Sequence, residues 1–231
     1  MVIAKPEIKP IDRNASIGAH PDYLIQSLGE KRFLLTNISW EGYLRILEAL
    51  PQTRAVRLTY DDGTLEFTMP LVKHESFNEL IRIFIWTMVE LMGLSLICIG
   101  STTINSPVKK KGCEPDCAYY IQNVALVKGR DIDFSQDLPP DLVVEVDITH
   151  TDISKNQFYA DLGVPEFWRF DGNVLRIYHL RDGEYLDCEA SPTFPQVPKE
   201  RFYQFLKETQ EDHIEAVRSL RQWWVELTPD H

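Results

Sequence analysis

One run limits the fold more than any other: Leu142–Ile148, LVVEVDI, set between Pro139–Pro140 and Thr149. Leu142, Val143, Val144, Val146 and Ile148 are β-formers in nearly unbroken sequence, the pattern of a central strand covered on both faces. Glu145 and Asp147 interrupt it. Alternate residues on a strand point to the same face. A carboxylate there costs several kcal/mol unless it is paired or holds a metal. The run therefore predicts a strand whose two acids line one cation site or share a wet edge.

The flanking elements follow from period and punctuation. Ser39 is placed to cap a helix carrying Trp40, Tyr43, Leu44, Leu47 and Leu50 on its apolar side. AVRLTY and TLEFTMP, joined by Asp61-Asp62-Gly63, read as a hairpin. His74 to Met92 is an amphipathic helix with Phe77, Leu80, Ile81, Phe84, Met88 and Leu91 on one stripe and Gly93 as its stop. A strand, LSLICIG, a basic loop, VKKKGCEP, and a short strand, CAYYI, follow. After LVVEVDI, Asp152 can cap a helix that ends at Gly163. EFWRFDG and the hairpin VLRIYHL–RDG–EYLDCE add three strands, and two helices at about 198–208 and 210–226 close the chain. From residue 74 the order is helix, three strands, helix, strand. That order predicts an α/β (α+β) fold with a mixed sheet covered by helices. Residues 1–35 read as a Pro-rich extension, 36–210 as one domain, and 211–231 as a helix packed on it.

With 231 residues and a net charge of −11, the chain lacks the overall basic character of a simple non-specific nucleic-acid binder. It remains compatible with an enzyme whose clustered carboxylates take a divalent cation. No stretch approaches the roughly 18 apolar residues of a membrane span, and MVIAKPEIKP lacks the apolar core of a signal peptide, so the cytoplasm is the expected location. Four cysteines make no disulfide framework; Cys113 and Cys117 are spaced for a zinc pair, but free thiols are the expectation.

Acids recur at significant points of the order. Glu75 opens the first core helix, Asp116 enters the second core strand, Glu145 and Asp147 lie in the third, and Lys155 follows on the next helix. Hard cations such as magnesium take carboxylate oxygens together with water and substrate phosphate. Such an ion polarises a phosphodiester and acidifies an attacking water, and a nearby lysine offsets the developing charge. Each position also has a plainer use: Pro115-Asp116 suits a turn and Glu75 a helix N-terminus. His74 can touch substrate or simply begin its helix. Lys109, Lys110 and Lys111 are candidate phosphate contacts or a solvated loop, and Trp223–Trp224 suit a core or a subunit interface.

MPLVKHE, EPDCAYYI, PPDLVVEVDIT and the set Lys155, Tyr159 and Gly163 to Trp168 resemble the Uma-type restriction endonucleases of the PD-(D/E)XK nuclease superfamily, over roughly residues 36 to 210. The resemblance implies a restriction-endonuclease-like core and magnesium- or manganese-dependent hydrolysis of DNA. It implies Asp116 and Glu145 as principal metal ligands with Glu75 auxiliary, and a homodimer. The superfamily lysine stands where Asp147 stands here, and the resemblance assigns that role to Lys155 on the following helix. The alternative is a catalytically inactive nuclease fold serving as a binding or assembly module.

Overall fold

The computed structural model describes residues 31–51, 54–70, 72–148 and 153–228. The chain runs β1 (Lys31–Leu35), α1 (Trp40–Ala49), β2 (Arg57–Asp61), β3 (Thr64–Met69), α2 (Val72–Leu91), β4 (Ile97–Gly100), β5 (Ile104–Ser106), β6 (Lys111–Cys113), β7 (Cys117–Tyr120) and α3 (Val124–Val127). It continues through β8 (Leu142–Val146), α4 (Lys155–Leu162), β9 (Glu166–Phe170), β10 (Leu175–Arg181), β11 (Glu184–Cys188), α5 (Lys199–Glu208) and α6 (His213–Leu227). One sheet has the order β1-β3-β2-β6-β5 and the other β11-β10-β9-β8-β7-β4.

The second sheet holds the expected core. After α2, the strands β4, β7 and β8 pair antiparallel; α4 then crosses over and returns β9 parallel to β8, with Glu145 opposite Arg169. Every residue of β8 is buried, as its apolar run requires. Ser154, rather than Asp152, caps α4 through a bond from the Gln157 amide; Asp152 lies outside the described residues. Gly163 ends α4 in the left-handed region, at φ 83°, where a side chain would be strained.

Two expectations need correction. Residues 31–35 are not part of a loose extension: they form β1, paired antiparallel with β3, while the rest of the extension lies outside the described residues. The basic loop is in part a strand. Lys109 and Lys110 occupy a turn, but Lys111 begins β6, which pairs with both β2 and β5. Lys111 is buried, ion-paired with Asp61 and Asp161 and set 5.1 Å over the Phe158 ring, which is why it leaves solvent. Gly112 follows because a Cβ there would collide with the Tyr43 hydroxyl and ring and with the Asn105 side-chain oxygen.

α2, α5 and α6 cover one face of the second sheet, where Phe84 meets Phe202 edge-on at 5.2 Å and lies beside Phe205. α4 covers the other face, packing Phe158 and Tyr159 on Val143 and Phe167. Trp224 is buried in the first layer and Trp223 packs against it, placing that pair in the core. Among the described residues, no helix is long and apolar enough to cross a membrane. All four cysteines are free thiols, with the Cys98 and Cys117 sulfurs 3.5 Å apart across β4 and β7. Because Phe84 is fully buried with Phe202 and Phe205 against it, Phe84→Ala should lower unfolding free energy by about 3–5 kcal/mol, read as a lower urea midpoint at unchanged slope.

Candidate active site

Glu145 and Asp147 do share a face, and both are buried and paired. They line a cavity of about 10 Å³ together with Asp116, His74, Arg57 and Lys155, roughly the room one water needs. The cavity lies where the first sheet, through β1 and β2, comes against the ends of β7 and β8 and the start of α4.

Glu145 is held from α4. Lys155 Nζ donates to its Oε1 at 2.9 Å, and the Tyr159 hydroxyl donates to the same oxygen. Lys155 and Tyr159 stand four residues apart, one helical turn, so a single helix face supplies both. Lys155 also reaches Thr59 Oγ1 on β2 at 3.4 Å. Burial pulls the Lys155 ammonium down, but the Glu145 and Asp147 carboxylates outweigh it and hold its pKa above the ordinary lysine value. It is therefore charged throughout the neutral range. Burial, with Cys113 and Glu145 adding to it, lifts the Tyr159 phenol well above the ordinary tyrosine range, so it acts as a donor.

Asp116 sits just before β7. Its Oδ2 accepts from the Val146 amide at 2.7 Å and lies 3.0 Å from His74 Nε2, while Oδ1 is ion-paired with Arg57 Nη1. The Val146 amide thus ties Asp116 to the strand that carries Glu145. Asp147 accepts from Arg32 Nη2 at 3.2 Å and Arg169 Nε at 2.8 Å, and Arg32 also reaches Glu66 at 2.7 Å.

Asp116, Glu145, Asp147, His74 and Lys155 are brought together; Glu75 is not. It lies in the first turn of α2, half exposed and outside the cavity, and accepts from Arg57 Nη2 at 2.9 Å. None of Lys109, Lys110 and Lys111 lines the cavity. Lys109 donates to the Asp161 carbonyl, and Lys111, a candidate phosphate contact or a solvated loop lysine by sequence, is neither solvated nor free for phosphate here, since it is buried on Asp61 and Asp161. Sequence reasoning passed over Arg57 and Arg32. The signal for Arg57 was alternation: Leu58 and Tyr60 fill the core between α1 and the hairpin, so Arg57 and Thr59 had to face the other way, onto something.

The donor set suits a hard cation in kind. Asp116 and Glu145 offer carboxylate oxygens, and among the described residues the donors to Glu145, Lys155 and Tyr159, both take Oε1, leaving Oε2 to a further ligand. Among the described residues, however, no three His, Cys, Asp or Glu side chains already stand as one metal-binding group. The chain's own cations balance the acids.

None of the curated proteins matches the chain. Among solved structures it is similar to a putative nuclease from Anabaena variabilis ATCC 29413, with 15% identity over 71% of this chain and 93% of that one and a TM-score of 0.45. Residues 40–207 match the Uma2 family, described as "Putative restriction endonuclease". That match takes in α2, Asp116, β8 and Lys155 and spans well over half of the sequence: the chain belongs to the Uma2 family of restriction-type nucleases.

Proposed function

We propose that this chain is a divalent-cation-dependent endonuclease that hydrolyses DNA phosphodiesters at the Asp116–Glu145 cavity. The observation that carries the reading is the convergence of these two acids, distant in sequence, on one buried space that Lys155 also lines. Asp116 and Glu145 would hold magnesium or manganese, which when bound polarises the phosphodiester and acidifies a water. The chain's own groups do the positioning. The Val146 amide fixes the Asp116 carboxylate, and Tyr159 and Lys155 fix Glu145. Lys155 brings a permanent positive charge to where negative charge grows on the phosphate. Asp147, at the superfamily's lysine position, is neutralised by Arg32 and Arg169 and orients those two cations. The reading includes a cytoplasmic protein working as a homodimer, one site for each strand.

A second reading, an inactive nuclease fold used for binding or assembly, draws on the resident cations that already pair every acid of this group. Plasmid and single-stranded DNA incubated with the purified chain and magnesium or manganese separate the two. Cleavage should appear with the intact chain and vanish in the Asp116→Ala, Glu145→Ala double variant. Equal residual nicking by both proteins would sink the nuclease reading.

A further inference from the structure

Arg57 forms the boundary between two spaces of very different size. On one side is the cavity of about 10 Å³ around Asp116 and Glu145. On the other is an open cleft of about 380 Å³, lined by Arg54, Val56, Glu75 and Ser101. Arg57 and Glu114 line both. The inner space accepts little more than one water, so no phosphodiester can enter it while that boundary stands. The outer cleft has the volume for one.

The two shared residues differ in how they are anchored. Glu114 is fixed by the Leu58 amide at 2.9 Å, by Thr103 Oγ1 at 3.1 Å and by Arg54. Arg57 is held by two carboxylates, Nη1 on the buried Asp116 and Nη2 on the half-exposed Glu75. Its guanidinium is therefore the wall that can move, and it has a second carboxylate to move onto. What keeps it in place is Asp116: a buried carboxylate stripped of its counter-ion is strongly unfavourable. The Val146 amide and His74 Nε2 stay on Oδ2, and an incoming divalent cation restores the counter-charge that Arg57 takes away from Oδ1.

We infer that Arg57 is a gate: it neutralises and closes off Asp116, and it yields that carboxylate to a divalent cation by swinging fully onto Glu75, which joins the cavity to the cleft. The inference rests on the nuclease reading and gives Glu75 a role outside the metal's coordination shell. In the open position the guanidinium faces the cleft, where it can pair with a DNA phosphate. Arg57 is thus a positioning residue, and its competition with the cation is reciprocal: whatever weakens Arg57 on Asp116 tightens the cation there.

Calorimetric titration with manganese alone tests this without reference to cleavage. Arg57→Gln should bind manganese at least about ten-fold more tightly than the unaltered chain, within the usual range of coupling between sites. Glu75→Gln, at an exposed position that should not disturb folding, removes the receiving carboxylate and should weaken binding several-fold. In the Arg57→Gln background the Glu75→Gln effect should vanish, whereas a Glu75 that ligated the metal directly would keep its effect. If the unaltered chain binds manganese and Arg57→Gln binds it no better, the gate is overturned and the nuclease reading stands. If neither protein binds manganese, both fall. A persistent Glu75→Gln effect without Arg57 also overturns the gate.

Discussion

Glu145→Gln is expected to lower metal-supported DNA cleavage by about 10²–10³-fold or more while the protein stays folded. The glutamine has the shape of the acid it replaces. Its carbonyl can turn toward Lys155 Nζ and the Tyr159 hydroxyl, the two donors that now meet on Oε1. The amide nitrogen then takes the place of Oε2 and presents a donor where a hard cation needs an oxygen. The loss should appear in cleavage rate and in manganese titration together, with the circular dichroism spectrum retained but the urea midpoint lowered, because the buried Lys155 ammonium loses the Glu145 charge beside it. Cleavage within ten-fold of the parent would remove Glu145 from the chemistry.

Lys155→Met is expected to cost about 3–5 kcal/mol of stability as well as activity. Lys155 and Glu145 are each at most 5% exposed, so the substitution strands a carboxylate in a space that admits about one water. The triple variant Lys155→Met, Glu145→Leu, Tyr159→Phe removes the stranded charge and the orphaned hydroxyl together and should recover most of that loss. Urea unfolding of the parent, the single and the triple variant gives the comparison. A single variant as stable as the parent would show that Glu145 finds another partner or takes up a proton at little cost. If the triple variant were no more stable than the single, the penalty would belong to lost packing instead.

The features legible in sequence are those whose cause is local. β8 is announced by five apolar β-formers in seven residues, α2 by its apolar stripe, and the end of α4 by a glycine that takes a positive φ. The order of elements follows, and with it the approach of Asp116 to Glu145, because β7 and β8 pair side by side. What escaped depends on partners far along the chain. Lys111 looked like a loop lysine because Asp61 and Asp161, some fifty residues away on either side, are what draw it inside. Arg32 and Arg57 belong to strands of the other sheet, and nothing adjacent to them in sequence points to Asp147 or Asp116. The acids of this site were readable and their counter-ions were not, since an acid inside an apolar strand is anomalous by itself, whereas an arginine at a strand end is ordinary.

The edge strand β1 has a practical consequence. Arg32 on that strand reaches Asp147 beyond the central strand and Glu66 on its own hairpin neighbour, so β1 is electrostatically welded to the acid-lined cavity. A protein trimmed at residue 36, the boundary suggested by composition, would lose more than a decorative tail. It would uncover β3 as a sticky new margin and take from Asp147 and Glu66 the guanidinium they share, with Arg169 still on Asp147, so such a truncation should be aggregation-prone and less stable even though every acid of the pocket is still present.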